Sequence, residues 1–186
     1  MRRHKMTAAA ALLLSLGLFV FCGCARKQPQ QDQEPQRTES QRGPLDVDKV
    51  SYLVHSGDPN HVELYIITSD LKVTRYSIDP EDGSDLDYLE GELPSENRYD
   101  VSEFEISETS WSSMVNVLTR VDFMNLSEEL PAPEGTYDAA AVYIRVETSG
   151  EVHTSGGYAA GTSSDDSDHQ RFAEARQYID NALNDN

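Results

Sequence analysis

The chain has very little cysteine. Its two cysteines, Cys22 and Cys24, both lie near the N-terminus, and none follows residue 24. The part of the chain after Cys24 therefore cannot close a disulfide within itself, hold zinc through thiolates or use a cysteine as a nucleophile. We expect packing alone to stabilise whatever folds there.

Positive charge is also scarce. Lys and Arg together number 15, against 33 Asp and Glu, so the formal net charge is −18. An acidic surface repels nucleic acid and anionic lipid headgroups, so we expect neither as a partner of the folded part. The charge fits either solubility on an exposed cell surface or attraction to cations or a basic partner.

A hydrophobic run long enough to span a membrane is missing as well. Residues 8–21 are mostly apolar, and they follow a cationic start that contains Arg2, Arg3 and Lys5. Crossing the hydrocarbon core takes about 20 apolar residues. This run is shorter and gives way to small and then polar residues, which is typical of a signal peptide. We predict a signal peptide over residues 1–23; the alternative is a short membrane anchor that stays uncut.

The end of this segment resembles a known processing site. Gly23 is the small residue that cleavage requires, and Phe21-Cys22-Gly23-Cys24 resembles the bacterial lipobox, in which a small residue precedes the lipid-bearing cysteine. The resemblance implies a diacylglycerol thioether on Cys24 and a further acyl chain, such as palmitate, on its amine. Two or more acyl chains anchor a protein stably. We therefore expect a bacterial lipoprotein held at a cell membrane and facing outside the cytoplasm.

The composition changes again after the cysteine. Residues 24–47 contain many Gln and Pro and few apolar side chains. Such a segment cannot bury enough surface to order itself, so we predict a disordered tether, with a span of about 25–30 Å as a flexible coil. Residues 48–186 are enough for a single domain with its own core, and no repeat of fixed period divides them.

Alternating apolar residues predict a series of strands after the tether. The turn sequence Gly57-Asp58-Pro59-Asn60 predicts that the first two strands form a hairpin. We expect residues 79–94, which are rich in Asp and Glu, to form an acidic loop. The four predicted strands cover residues 49–56, 61–68, 71–78 and 99–107.

Two later stretches have the period of an amphipathic helix. We expect Ser107, Thr109 or Ser110 to cap the first helix and Ser167 or Asp168 to cap the second. The apolar stripes are Trp111, Met114, Val115, Leu118 and Val121 in the first helix, and Phe172, Ala175, Ile179 and Leu183 in the second.

Between these helices, residues 141–158 predict a second hairpin. A two-residue turn at Ser149-Gly150 would place Val152 opposite Glu147 and mix apolar with polar side chains on one face. A three-residue loop over residues 148–150, with Gly150 in the left-handed conformation, instead places Val152 opposite Val146. The hydrophobic pattern favours the three-residue loop.

The order of strands, helix, hairpin and helix predicts an α+β fold. We expect an antiparallel sheet of about five to six strands with two helices packed on one face. The run from Trp111 to Tyr137-Asp138, then Ser155-Gly156-Gly157-Tyr158 and a helix with Phe172, resembles a domain of small uncharacterised lipoproteins of Firmicutes. This resemblance covers residues 105–185 and implies no activity and no site residue.

No catalytic, cofactor-binding or metal-binding set emerges from the motifs. Ser69-Asp70-Leu71-Lys72 matches the S-x-x-K pair of penicillin-recognising enzymes, but the partner motifs are missing. Residues 156–163 space two glycines as a phosphate loop does, with Thr162 in place of the lysine. Residues 79–92 fail the spacing of a calcium loop, and an irregular calcium site there stays an alternative. The histidines after Cys24 lack a metal-binding spacing.

The remaining candidate is a surface. The predicted hairpin register sets His153 beside Arg145, with Tyr143 and Tyr158 close, on the face away from the core. Aromatic residues and Arg are enriched at contact sites, so we predict an interaction face made of these four residues. The alternative is a sheet face with no binding role that is either exposed to solvent or covered by another strand.

These expectations lead to three hypotheses about function. The leading one is a membrane-anchored, non-enzymatic module that binds a protein or an envelope polymer at a distance set by the tether. The alternative is an envelope enzyme, or a solute- or metal-binding lipoprotein, whose site forms only in three dimensions. The third is an accessory subunit of a larger complex.

Overall fold

Residues 43–57, 61–80, 85–162 and 165–185 are described by the computed structural model of the chain. The predicted signal peptide, Cys24 and nearly all of the predicted tether lie outside these ranges, and so does most of the turn at residues 57–60. Within the described ranges, no helix is long and apolar enough to cross a bilayer.

The described ranges contain six strands and three α-helices. The strands are β1 (Val47–His55), β2 (Val62–Thr68), β3 (Lys72–Ile78), β4 (Tyr99–Glu105), β5 (Ala141–Thr148) and β6 (Val152–Tyr158). The helices are α1 (Asp85–Glu90), α2 (Glu108–Arg120) and α3 (Ser167–Asn184), and short 3-10 turns cover Glu96–Arg98 and Phe123–Asn125.

The six strands form one sheet in the order β4-β3-β2-β1-β5-β6, with every neighbouring pair antiparallel. Helices α2 and α3 pack on its first face, where Met114 and Phe172 are fully buried against β1 and β5. The predicted α+β fold, with two helices on one face of an antiparallel sheet, is confirmed. The sheet begins one residue earlier than the expected domain, because Val47 is already a buried member of β1.

The caps of the two long helices differ in how well they follow the prediction. Ser107 caps α2 as expected, accepting a 3.0 Å hydrogen bond from the Ser110 backbone N–H. At α3 the cap is Asp166, not Ser167 or Asp168, because its carboxylate accepts from the Asp168 and His169 backbone N–H groups at 2.8 and 3.1 Å. A carboxylate in this position also favours the positive end of the helix dipole.

Helix α1 is the element that the sequence pattern misses. It lies inside the stretch predicted as an acidic loop and packs on the second face of the sheet, opposite α2 and α3. Tyr88 and Leu89 are buried there against Leu53 and Leu64, in a second, smaller core. The loop prediction is therefore wrong for residues 85–90: burial of two apolar side chains against the sheet stabilises a helix that six residues cannot maintain alone.

The β5–β6 hairpin has the two-residue turn that the hydrophobic pattern disfavours. Glu147 pairs with Val152, and Gly150 has no positive φ. The Thr148 hydroxyl explains the turn: it accepts from the Glu151 N–H and donates to the Glu151 carbonyl, each at 3.0 Å. Val152 is left 49% exposed, so closing the turn outweighs burying that side chain.

Candidate functional site

A groove of about 730 Å³ runs along edge strand β6 on the second face of the sheet. Strands β5 and β6 form its floor. Leu86, Leu89 and Glu90 of α1 form one wall, and residues 128–132 form the other. Concave sites of this size accommodate small molecules and short polymer segments.

Two glycines in β6 allow its backbone to lie close to its neighbours, Gly156 to β5 and Gly157 to the second wall. A Cβ on Gly156 would overlap the Val142 carbonyl oxygen and lie 2.7 Å from the Tyr143 Cα. A Cβ on Gly157 would lie 2.7 Å from the Leu130 carbonyl oxygen. Because Gly157 has no side chain, residues 128–130 can run beside β6 in parallel, with the Leu130 N–H donating to Gly156 at 2.8 Å and the Gly156 N–H donating to Glu128 at 3.1 Å.

Two tyrosines border the groove. Tyr143 is half-buried, and its pKa is raised first by burial and then by the negative charges of Asp85 and Glu129. The Tyr158 hydroxyl accepts a 2.9 Å hydrogen bond from the Ala139 N–H, which holds a partly exposed ring at the rim. The pair therefore offers aromatic surface in a negative electrostatic environment.

The positive charge of the groove is neutralised by an ion pair, whereas most of its negative charges are not. Arg145 is bound at 3.1 Å by Glu147, which Lys49 also binds at 2.8 Å. Burial raises the pKa of Glu147, but these two cations outweigh it and hold the pKa below its usual value. The groove also contains three glutamates, Glu90, Glu128 and Glu129, whose carboxylates make no hydrogen bond or ion pair with any described residue. The groove is therefore negative.

The predicted interaction face is only partly one surface. Tyr143, Arg145 and Tyr158 share the second face, and all four predicted residues border the groove. His153, however, pairs with Val146 and turns its ring to the first face, edge-on to Phe123 at 5.8 Å. The expected placement of His153 beside Arg145 is wrong because it depended on the three-residue loop.

The sequence pattern did not predict several of the residues that line the groove. Leu86 and Leu89 sit three residues apart inside the acidic stretch, a spacing that indicates one face of a helix, so this signal was present but short. Glu128 and Glu129 carry no local signal. They reach the site only because residues 128–130 pair with a strand about 27 residues further along the chain.

His55 and His61 are held in separate pairs. His55 contacts Asp85 at 3.0 Å, and His61 contacts Glu63 at 2.7 Å. Across the described ranges, no three His, Cys, Asp or Glu side chains are placed to share a metal ion. The predicted calcium alternative falls partly on residues 81–84, which lie outside those ranges.

The structure places both motif matches, S-x-x-K at residues 69–72 and the glycine-spaced residues 156–163, at turns beside strands. Lys72 pairs with Asp70 at 2.8 Å across a tight turn, away from the groove. The glycine-spaced stretch over residues 156–163 begins inside β6 and turns at residues 159–161, and its last residue, Ser163, is not among the described ones.

Comparison with known proteins gives no function to transfer. A scan against protein-family models and a search of curated proteins each find no match for this chain. The groove's own residues therefore carry the functional interpretation.

Proposed function

We propose that the chain is a lipoprotein, anchored through lipid on Cys24 at the outer side of a cell membrane, and that it is a non-enzymatic binding module. The groove between α1 and β6 is the proposed binding site. The lipobox-like sequence before Cys24 supports the anchor. The observation that carries the binding proposal is a groove of about 730 Å³ that combines two tyrosines with three glutamates that pair with no described residue.

The groove's composition favours binding over catalysis. Among the described residues, the lining contains no Ser, Cys or Lys side chain, and the ring of His153 turns towards Phe123. Nucleophilic catalysis needs a nucleophile within hydrogen-bond reach of a base. Tyrosine and arginine, which the groove contains in Tyr143, Tyr158 and Arg145, are instead enriched at contact surfaces.

The anchor is tested by metabolic labelling with an alkyne analogue of palmitate. We expect the wild-type chain to be labelled and to sediment with membranes. Cys24→Ala should lose the label and release the chain, whereas Cys22→Ala, which leaves the acceptor cysteine in place, should behave as wild type. A Cys24→Ala chain that keeps its label would contradict the anchor.

The binding site is tested by a photo-crosslinking amino acid placed at Val152 in living cells. Val101 is the matched control: both valines lie on edge strands, face the second side of the sheet and are exposed, at 49% and 57%. We expect a discrete adduct from position 152 and none from position 101. Absence of an adduct at 152, or the same adducts from both positions, would overturn the proposal.

A further inference from the structure

The two edges of the sheet differ in how they are protected. Edge strand β4 carries Asp100, Glu103 and Glu105, all exposed, whereas edge strand β6 contains no Asp, Glu, Lys or Arg. Charged side chains on an edge strand oppose pairing with another chain. Strand β6 lacks that protection.

Only part of the outer edge of β6 is used by its own chain. Both backbone groups of Gly156 point outward, where they bond to Glu128 and Leu130. In an antiparallel ladder every second residue points the same way, so the N–H and C=O groups of Val152 and Thr154 also point outward. Among the described residues, none forms a backbone hydrogen bond with these groups across that edge. The edge of β6 that borders the groove therefore carries backbone groups, at Val152 and Thr154, that bond to no described residue across it.

We infer that the groove binds an extended, basic segment of another polypeptide, which adds to β6 as a further strand beside Val152 and Thr154. Strand addition gives affinity through main-chain hydrogen bonds and specificity through alternate side chains. The inference rests on the proposed function and specifies its ligand. Lysine or arginine side chains of the segment would face the unpaired carboxylates of Glu90, Glu128 and Glu129.

Charge decides between this occupant and a second copy of the chain. A second copy would bring the same three unpaired glutamates and a chain with a net charge of −18 to the same edge. Like charges placed opposite each other oppose association. Arg145 does not relieve the repulsion, because Glu147 already binds it. A basic partner is the complementary one.

The experiment uses the full chain in detergent and a fluorescein-labelled peptide of alternating lysine and threonine, measured by anisotropy. Three peptides are compared: the parent, a version N-methylated at every second residue, and a version with glutamate in place of lysine. We expect N-methylation to weaken binding at least tenfold, because it removes the donors that a strand edge requires, and the glutamate peptide not to bind. Glu128→Gln with Glu129→Gln should weaken the parent peptide and reduce its salt dependence.

A pair of variants tests the edge from the protein side. Thr154→Pro removes the outward N–H, and proline is tolerated on an edge strand where the N–H is not in the ladder. Thr154→Val keeps the N–H and serves as the control. We expect the proline variant to lose at least tenfold in affinity and the valine variant to match wild type.

The outcomes separate this inference from the proposed function. Equal binding of the parent and N-methylated peptides to the wild-type protein would overturn strand addition. This comparison does not depend on whether any variant folds. No binding of any peptide, with a persistent adduct at Val152, would overturn the basic-peptide ligand but leave the groove as a site. Peptide binding without any adduct at Val152 in cells would instead count against the proposed function.

Discussion

Gly156 shows how much of the groove depends on a missing side chain. Its backbone has a φ of 156°, lies against Val142 and Tyr143 and bonds on its other side to residues 128–130. A side chain here would collide with main-chain atoms, which cannot rotate away as the tip of a side chain can. The position therefore links the sheet to the second wall of the groove.

Replacing Gly156 by alanine should destabilise the fold by about 2–4 kcal/mol, through backbone strain together with the clash. Gly150→Ala is the control: nothing lies within 4 Å of the added Cβ, so a change of at most about 0.5 kcal/mol is expected. Urea unfolding of both variants measures the difference. Equal stabilities would show that β6 relaxes at Gly156.

At the scale of secondary-structure elements, α1 is the weakest part of the site. It has only six residues, and it is held to the sheet by Tyr88, Leu89 and the contact of Asp85 with His55 at 3.0 Å. Short helices depend on tertiary contacts for their stability. One wall of the groove is thus attached by a small apolar contact together with the Asp85–His55 pair.

Leu89→Ala should detach α1 from the sheet, while the sheet itself stays folded. Truncating a buried leucine costs about 2–5 kcal/mol, which is more stabilising free energy than a six-residue helix can lose and still stay folded on the sheet. Leu86, which is 43% exposed, supplies the control through Leu86→Ala. Hydrogen exchange should show faster exchange of the α1 amides for Leu89→Ala alone, with β1 and α2 unchanged. Protection of α1 in that variant would argue for other contacts.

At the scale of the whole molecule, the acidic composition makes stability depend on pH. Burial alone raises the pKa values of Glu63, Glu147 and Asp168, yet hydrogen bonds from neighbouring cations and from Ser127 hold all three below their ordinary values. A carboxyl whose pKa is lowered by folding stabilises the native state above its unfolded pKa, near 4. That stability is lost as the pH falls through the lowered value. The chain should therefore be most stable near neutral pH and weaken in acid.

The contribution of one ion pair to this behaviour can be isolated at Glu63. Arg75 donates to both of its carboxylate oxygens, at 2.7 and 3.0 Å. Arg75→Gln should lower stability by about 0.5–1 kcal/mol at pH 7, and the difference from wild type should shrink towards pH 3 as Glu63 is protonated. Arg120→Gln, which removes an exposed pair with Glu174, should have a smaller effect. Denaturant midpoints at several pH values test this; parallel curves for wild type and Arg75→Gln would contradict it.

Sequence by itself determined the fold class, the six strands to within a few residues and the two long helices. The stripe through Met114 and Leu118 and the alternation through Val142 and Ile144 express helix and strand periods, which depend only on near neighbours in the chain. The expected signal peptide and the lipid on Cys24 are also predictions of sequence alone, and they lie outside the described structure.

Only the tertiary structure decided the register of the last hairpin, the docking of α1 and the groove between them. Val152 remained exposed because the Thr148 hydroxyl closed a tighter turn, and the acidic stretch became helical because Tyr88 and Leu89 found a sheet to pack against. Glu128 and Glu129 joined the site through pairing with Gly156, far along the chain. The turn rests on a local hydrogen-bonded pair, Thr148 and Glu151, which hydrophobic periodicity does not reveal. The docking of α1 and the position of Glu128 and Glu129 rest on contacts between distant segments, whose free energies outweigh local preference and leave no periodic trace in the sequence.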